Sequence, residues 1–364
     1  MNDRSRRTRV RVAIGAVALA GATMIAPALG ASGGKKLIES GYDEPDTRFI
    51  RAHIAEMEQS PFDGLLFHVV SDHGDSLTWH IWSHKRFERS DFDGAVNDLD
   101  STRFRKFTEM FLRVNSSPGD VSWFDDEGWA TVAHNFGVAA RIARDGRCRG
   151  LVFDAEQYFT PLFDYPRIQK LWPGSFEQYS AAVKQRGREW IRAINAEFPG
   201  VTLVMTVGYA PTQPHGLEKR SSIHYGLLAD FLDGVIEAMS PETRVVDGWE
   251  ASFAYREKNQ FKTAYDTMRK KAVGWTASPD RYKRQVRAGF GIWLDNESDT
   301  RGWDAQDHGK NYRTPSDFER TVSDALATTD GYVWIYSQKA RWWSGPRVPK
   351  AYVDALARAK AAHR

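Results

Sequence analysis

Short apolar runs alternate with stretches of helical periodicity along most of this 364-residue chain, and that alternation restricts the fold more than any other feature. Strand–helix alternation builds βαβ units around a parallel sheet. Eight apolar runs read as strands: 64–70, 121–124, 150–156, 201–208, 232–239, 245–253, 288–295 and 331–337. Helices are expected over 47–59, 101–114, 127–144, 175–198, 222–231, 260–275, 315–328 and 349–362. Ser175-Phe-Glu-Gln and Ser316-Asp-Phe-Glu read as capping starts, each with an acid or amide in the first turn. Eight alternations fit a closed (β/α)8 TIM barrel of the α/β class, in a single domain, better than an open sheet.

The N-terminus differs in kind. Arg4, Arg6, Arg7, Arg9 and Arg11 precede an uncharged apolar run, 12–25, that ends in small residues at Gly30. That order reads as a signal peptide over 1–30, and the run is short for a membrane span, which needs about 20 residues. The remaining domain, 31–364, is then expected to start at Ala31, to be exported to the periplasm or extracellular space, and to keep no stable membrane association. The stretch 5–11 also approaches a twin-arginine signal, with Arg9 standing where that pattern has an apolar residue.

A formal charge of +3, with basic residues scattered among acids, calls for no nucleic-acid partner. Cys148 is the only cysteine, so no intramolecular disulfide can form, and it reads as a small buried hydrophobe. Nothing in the sequence calls for a cofactor.

Carboxylates gather where the strands end. Val152, Asp154 and Glu156 share one parity of the 150–156 run, which turns both acids inward at the mouth of a barrel. Active sites of barrels lie at that end. Two acids one strand-step apart repel, which raises the pKa of one of them and keeps it a proton donor. The expectation is that Glu156 holds the proton and Asp154, deeper, stays ionised. Glu237, Glu250 and Asp295 also read as strand-end acids, with Glu237 or Glu250 as the second carboxylate that glycoside hydrolysis requires. A structural pair hydrogen-bonded to neighbouring strands or to an Arg is the plainer alternative for Asp154 and Glu156.

Thirteen Trp, thirteen Tyr and twenty Phe make the chain rich in aromatic rings, which stack on the apolar faces of sugars. Trp123, Tyr158, Tyr209, Trp249, Trp293, Trp334 and Tyr336 fall near strand ends and, with His68, are the expected substrate-binding residues. The longest connection, 71–101, carries His73, Trp79, His80, Trp82, His84 and Phe87 and is expected on the C-terminal face.

Phe153-Asp154-Ala155-Glu156-Gln157-Tyr158, with Trp334-Ile335-Tyr336 on the last strand, is similar to the Asp-x-Glu strand end of chitinase-like hydrolases. That resemblance implies a Glu acting as acid and an Asp supporting an acetamido group. It covers few residues, lacks the run of alternating aspartates that leads into the family motif, and sits one strand early by the count above. The segments 36–39, 43–46 and 61–64 resemble those of uncharacterised exported bacterial barrels of glycoside-hydrolase type. The function expected is therefore carboxylate-catalysed cleavage of an O-glycosidic bond in a poly- or oligosaccharide. The alternatives are a metal-dependent hydrolase built on the His- and Asp-rich segment 68–84, which lacks the usual ligand spacings, and a non-catalytic sugar-binding barrel.

Overall fold

The computed structural model describes residues 34–297 and 302–363, so the expected signal peptide lies outside the described residues. Strands β1 (Lys36–Gly41), β2 (Gly64–Phe67), β3 (Phe111–Asn115), β4 (Gly150–Asp154), β5 (Thr202–Met205), β6 (Arg244–Asp247), β7 (Val286–Ala288), β8 (Phe290–Trp293) and β9 (Tyr332–Ser337) form one parallel sheet. Its order is β7-β6-β5-β4-β3-β2-β1-β9-β8. Only Gly289 separates β7 from β8. The first of these pairs with β6 and the second with β9, so the two are halves of one kinked stave and the sheet closes as an eight-stave barrel.

The outer layer is α1 (Thr47–Met57), α2 (Asp93–Ser101), α3 (Asp126–Asp145), α4 (Phe176–Glu197), α5 (Leu228–Ala238), α6 (Lys258–Asp266), α7 (Pro315–Thr328) and α8 (Lys350–Ala361), with shorter turns between them. Sequence and structure agree closely for α1, α3, α4, α7 and α8. Ser175 caps α4 as expected, its Oγ accepting from the Gln178 N–H at 3.3 Å. The cap of α7 is Thr314 with Asp317 rather than Ser316, because Pro315 takes the first helical position.

Two expected strands are not strands, and two real ones were read otherwise. The run 232–239 lies within α5, where a continuous apolar stretch cannot be told from a strand by period alone. This helix is buried nearly all round because it packs tightly on α4. A Cβ on Gly234 would meet the Lys184 carbonyl oxygen at 2.1 Å, and one on Gly187 the Phe231 oxygen at 2.3 Å. The run 121–124 is a loop that buries Val121 and Trp123. Conversely, β1 lies where no element is expected, and β3 falls at the end of the helix expected over 101–114, since Arg113 interrupts its apolar run. Two gains and two losses keep the count at eight: the runs 64–70, 150–156 and 201–208 each move up one place and the last three keep theirs, so Asp154 ends the fourth strand, the position that the chitinase-like motif occupies.

Ile38, Leu66, Phe111, Val152, Val204, Val246 and Trp334 fill the barrel interior as a separate apolar cluster. The Trp334 indole lies across the lumen, its Nε1 donating to the Gly248 carbonyl at 2.8 Å. Gly291 makes this possible, since a Cβ there would stand 2.6 Å from the Trp334 ring. The interior is thus plugged, and any ligand must sit above the plug.

Candidate active site

A cavity of about 1280 Å³ opens above Trp334, at the C-terminal ends of the strands. Asp154, Glu156, Glu250, His68, Tyr158, Trp249, Trp293, Trp334 and Tyr336 all border it, so nine of the expected residues meet in one place. The 71–101 connection, which follows the second strand, contributes Trp79 to the same wall. Its Trp82 is buried in the core, and His73, His80 and His84 point to solvent. Among the described residues no three His, Cys, Asp or Glu side chains are grouped to hold a metal ion.

The β4 end is tightly held. Asp154 Oδ1 accepts the Glu156 N–H at 3.0 Å, and Oδ2 accepts the Tyr158 hydroxyl at 2.8 Å. Ser116 Oγ donates to the Glu156 carbonyl at 2.9 Å, fixing the loop that carries the second acid. Burial pushes the Asp154 carboxyl up to about 6 with help from the Glu156 charge, against its hydrogen bonds and Arg113. Arg113, on β3, donates from Nε to Glu44 at 2.5 Å, lies 3.9 Å from Asp154, and stacks over the Trp79 ring at 5.2 Å.

The next wall comes from the β6 end, one stave beyond β5. Trp249 has φ 43 and ψ 63, a left-handed conformation that costs a non-glycine residue about 1–2 kcal/mol. This bend carries the chain from Asp247 straight into a 3-10 turn, Glu250–Ala254, and brings Glu250 to the cavity. Such strain clusters where geometry serves function. Burial pushes Glu250 up to about 8, and the negative charges of Glu156 and Asp154 push in the same direction. Burial also raises Asp247, to about 7, against the Trp249 N–H at 3.2 Å. Like charge and burial act together on these acids: they raise Glu250 at the β6 end and Asp154 at the β4 end, the latter against the expectation that the deeper acid stays ionised.

Aromatic rings complete the walls. Phe253 stacks on Tyr336 with centroids 5.1 Å apart, Trp293 meets Tyr336 edge-on at 5.6 Å, and Trp79 meets Tyr158 at 5.5 Å. Tyr42 and Phe159, each 67 % exposed, extend this surface outward.

Four expected site residues lie elsewhere. Glu237 is on the outer face of α5, bonded to Arg188 at 2.9 Å and Lys184 at 3.2 Å, because its segment is helix rather than strand. Trp123 is fully buried against Trp129, centroids 5.1 Å apart, and donates to the Leu162 carbonyl. Tyr209 is buried behind the cavity, its hydroxyl bonded to Asp233 at 2.7 Å. Asp295 follows a strand but turns away from the cavity, binding the Trp293 indole and the backbone N–H groups of Gln338, Lys339 and Ala340. Four bordering residues are not among the expected site residues: Arg113, which falls in the helix expected over 101–114, and Glu44, Trp79 and Asp247, which lie within the segments 43–46, 71–101 and 245–253.

No family model matches the chain, and no curated protein matches it. Among solved structures it is similar to active domain 2 of a thermostable chitinase from Pyrococcus furiosus, with a TM-score of 0.48 at 10 % identity over 90 % of this chain and 95 % of that one. It is also similar to a glycoside hydrolase family 5 enzyme from Prevotella bryantii, with a TM-score of 0.43 at 12 % identity over 88 % of both chains. A sugar phosphate isomerase/epimerase from Parabacteroides distasonis aligns too, with a TM-score of 0.40 at 8 % identity over 90 % of this chain and 97 % of the other. Likeness at this level decides nothing about activity, which has to be read from the site.

Proposed function

We propose that this chain is a glycoside hydrolase acting on a poly- or oligosaccharide. The observation that carries the reading is Glu250: a carboxyl held protonated up to about pH 8, facing the charges of Glu156 and Asp154 across an aromatic-walled cavity. Two carboxylates in different protonation states are what glycoside cleavage uses. Glu250 donates its proton to the leaving glycosidic oxygen. Glu156 faces the anomeric carbon, as nucleophile or as base toward water. Asp154, anchored by Tyr158 and the Glu156 N–H, fixes the loop carrying Glu156, and the rings stack on the sugar. The four His and Asp side chains of the 71–84 segment that point to solvent take no part.

The test is turnover of a polysaccharide panel followed across pH. Activity is expected to fall as pH rises through about 8, where Glu250 loses its proton, and as pH falls through about 6, where Asp154 gains one. Flat pH dependence, or turnover abolished by a chelator, would refute the assignment. The proposal includes export: mass spectrometry of the secreted protein is expected to find an N-terminus at Ala31, and intact Met1 on cytoplasmic material would count against it.

A further inference from the structure

Behind the loop that carries Glu156 runs a row of polar side chains that bond cleavage does not use: Asp164, His224 and Gln157, none of which borders the cavity. Asp164 is buried. Its Oδ1 accepts the Arg167 N–H at 3.2 Å and caps the short helix Tyr165–Ile168, and its Oδ2 lies 2.9 Å from Nδ1 of the half-exposed His224. Gln157 Oε1 stands 2.7 Å from the Phe163 backbone nitrogen, and Gln157 Nε2 stands 3.1 Å from His224 Nε2. Each end of the row can act in one sense only. A backbone N–H only donates, so the Gln157 atom facing Phe163 is the oxygen and the amide NH2 faces the imidazole. An ionised carboxylate only accepts, so His224 carries its proton on Nδ1 and leaves the Nε2 lone pair to accept from Gln157. The row reaches the cavity at two points. Gln157 follows Glu156 directly, and it hydrogen-bonds Tyr225, which follows His224 and borders the cavity. The Leu227 N–H donates to the Phe163 carbonyl at 3.0 Å, which ties the two segments together.

We propose that Asp164, His224 and Gln157 are positioning residues, a polarised relay that holds the loop bearing Glu156 in the geometry hydrolysis needs; the inference rests on the hydrolase reading of the cavity. The direction of the relay is what makes it testable. Asp164→Asn keeps the helix cap, since asparagine still offers an oxygen to the Arg167 N–H, but it turns an NH2 toward His224 Nδ1. The imidazole proton then sits on Nε2 and meets the Gln157 NH2, donor against donor. Adding Gln157→Glu replaces that NH2 with an accepting oxygen and keeps the oxygen that faces Phe163. The relay then runs in the opposite sense with the net charge of the pair unchanged. Side chains that merely fill space have no reason to respond to the first change and be rescued by the second.

The experiment joins nitrogen NMR of the full mature chain, labelled at histidine and held at about pH 8 where an ordinary imidazole is neutral, to steady-state kinetics on the polysaccharide panel. The His224 signals are assigned by their loss in His224→Ala. The unaltered chain is expected to carry the proton on Nδ1, and Asp164→Asn to carry it on Nε2. Asp164→Asn and His224→Ala are each expected to lower kcat about tenfold while KM stays within about twofold, because the relay misplaces Glu156 without touching the sugar. Asp164→Asn with Gln157→Glu is expected to bring kcat back to within about threefold of the unaltered value. A His224 protonated on Nε2 in the unaltered chain, a kcat that Asp164→Asn leaves unchanged, or a double variant no better than the single one overturns the inference. If Asp164→Asn does not fold, the tautomer in the unaltered chain and the kinetics of His224→Ala decide. Turnover of no saccharide by a chain whose His224 carries its proton on Nδ1 removes the hydrolase and leaves the relay.

Discussion

Glu250→Gln is expected to slow hydrolysis of the natural polymer by about 10²- to 10⁴-fold, the usual cost of removing a general acid. Glutamine keeps the shape and cannot donate a proton to the leaving oxygen. Activated aryl glycosides, whose leaving groups depart with little protonation, are expected to lose far less. Glu156→Gln is expected to harm both substrates alike, because attack on the anomeric carbon is needed whatever the leaving group. Glu237→Gln serves as the control, since that side chain lies outside the barrel in an exposed ion pair. Steady-state kinetics on the two substrate types settles the matter. A leaving-group dependence in Glu156→Gln and its absence in Glu250→Gln would exchange the two roles and restore the assignment that the Asp-x-Glu motif implies.

Asp295→Ala is expected to be the most damaging single change to stability, costing about 3–5 kcal/mol. The carboxylate is 1 % exposed and accepts from the Trp293 Nε1 at 2.8 Å, the Gln338 N–H at 3.0 Å, the Lys339 N–H at 2.5 Å and the Ala340 N–H at 2.8 Å. Truncation leaves those donors buried and unmet, each at a cost of about 1–3 kcal/mol before relaxation. Asp295→Asn retains an acceptor oxygen and is expected to lose less. Urea denaturation measures both. A loss under about 1 kcal/mol for the alanine variant would mean that water reaches those N–H groups, and the loop anchor described above would be wrong.

The barrel was legible in the sequence because its strongest signals are local. Helices such as Asp126–Asp145 and Pro315–Thr328 carry an amphipathic period over several turns, and β4 is an unbroken apolar run. Errors fell where tertiary context overrides period. The run 232–239 looks like a strand because the helix that holds it is buried on nearly every side, and Phe111–Asn115 is hidden as a strand because Arg113 is a charge whose partners, Glu44 and Asp154, come from distant segments. The same distinction governs the site. Parity along β4 turns Asp154 toward the cavity, since alternation is a property of the strand itself, while Glu156 borders the cavity from the loop that follows. Which carboxyl holds the proton depends on burial and on charges arriving from another stave, and neither can be counted along the chain. Trp249 is the sharpest case, because no local pattern announces a left-handed tryptophan.

The seam between β1 and β9 bears on how the chain must acquire its structure. These strands come from opposite ends of the described sequence and pair over six positions, from Lys36 with Tyr332 to Gly41 with Ser337. Until the last stave arrives, the growing sheet has two bare edges, one of them the side of β1 turned away from β2, and the Trp334 plug is missing from the lumen. Contacts so distant in sequence form slowly, because a long loop must close before they are rewarded. A nascent chain that has not yet reached residue 337 therefore stays open, unplugged and threadable, and the finished ring, having no free edge, offers nothing for a second copy to zip onto.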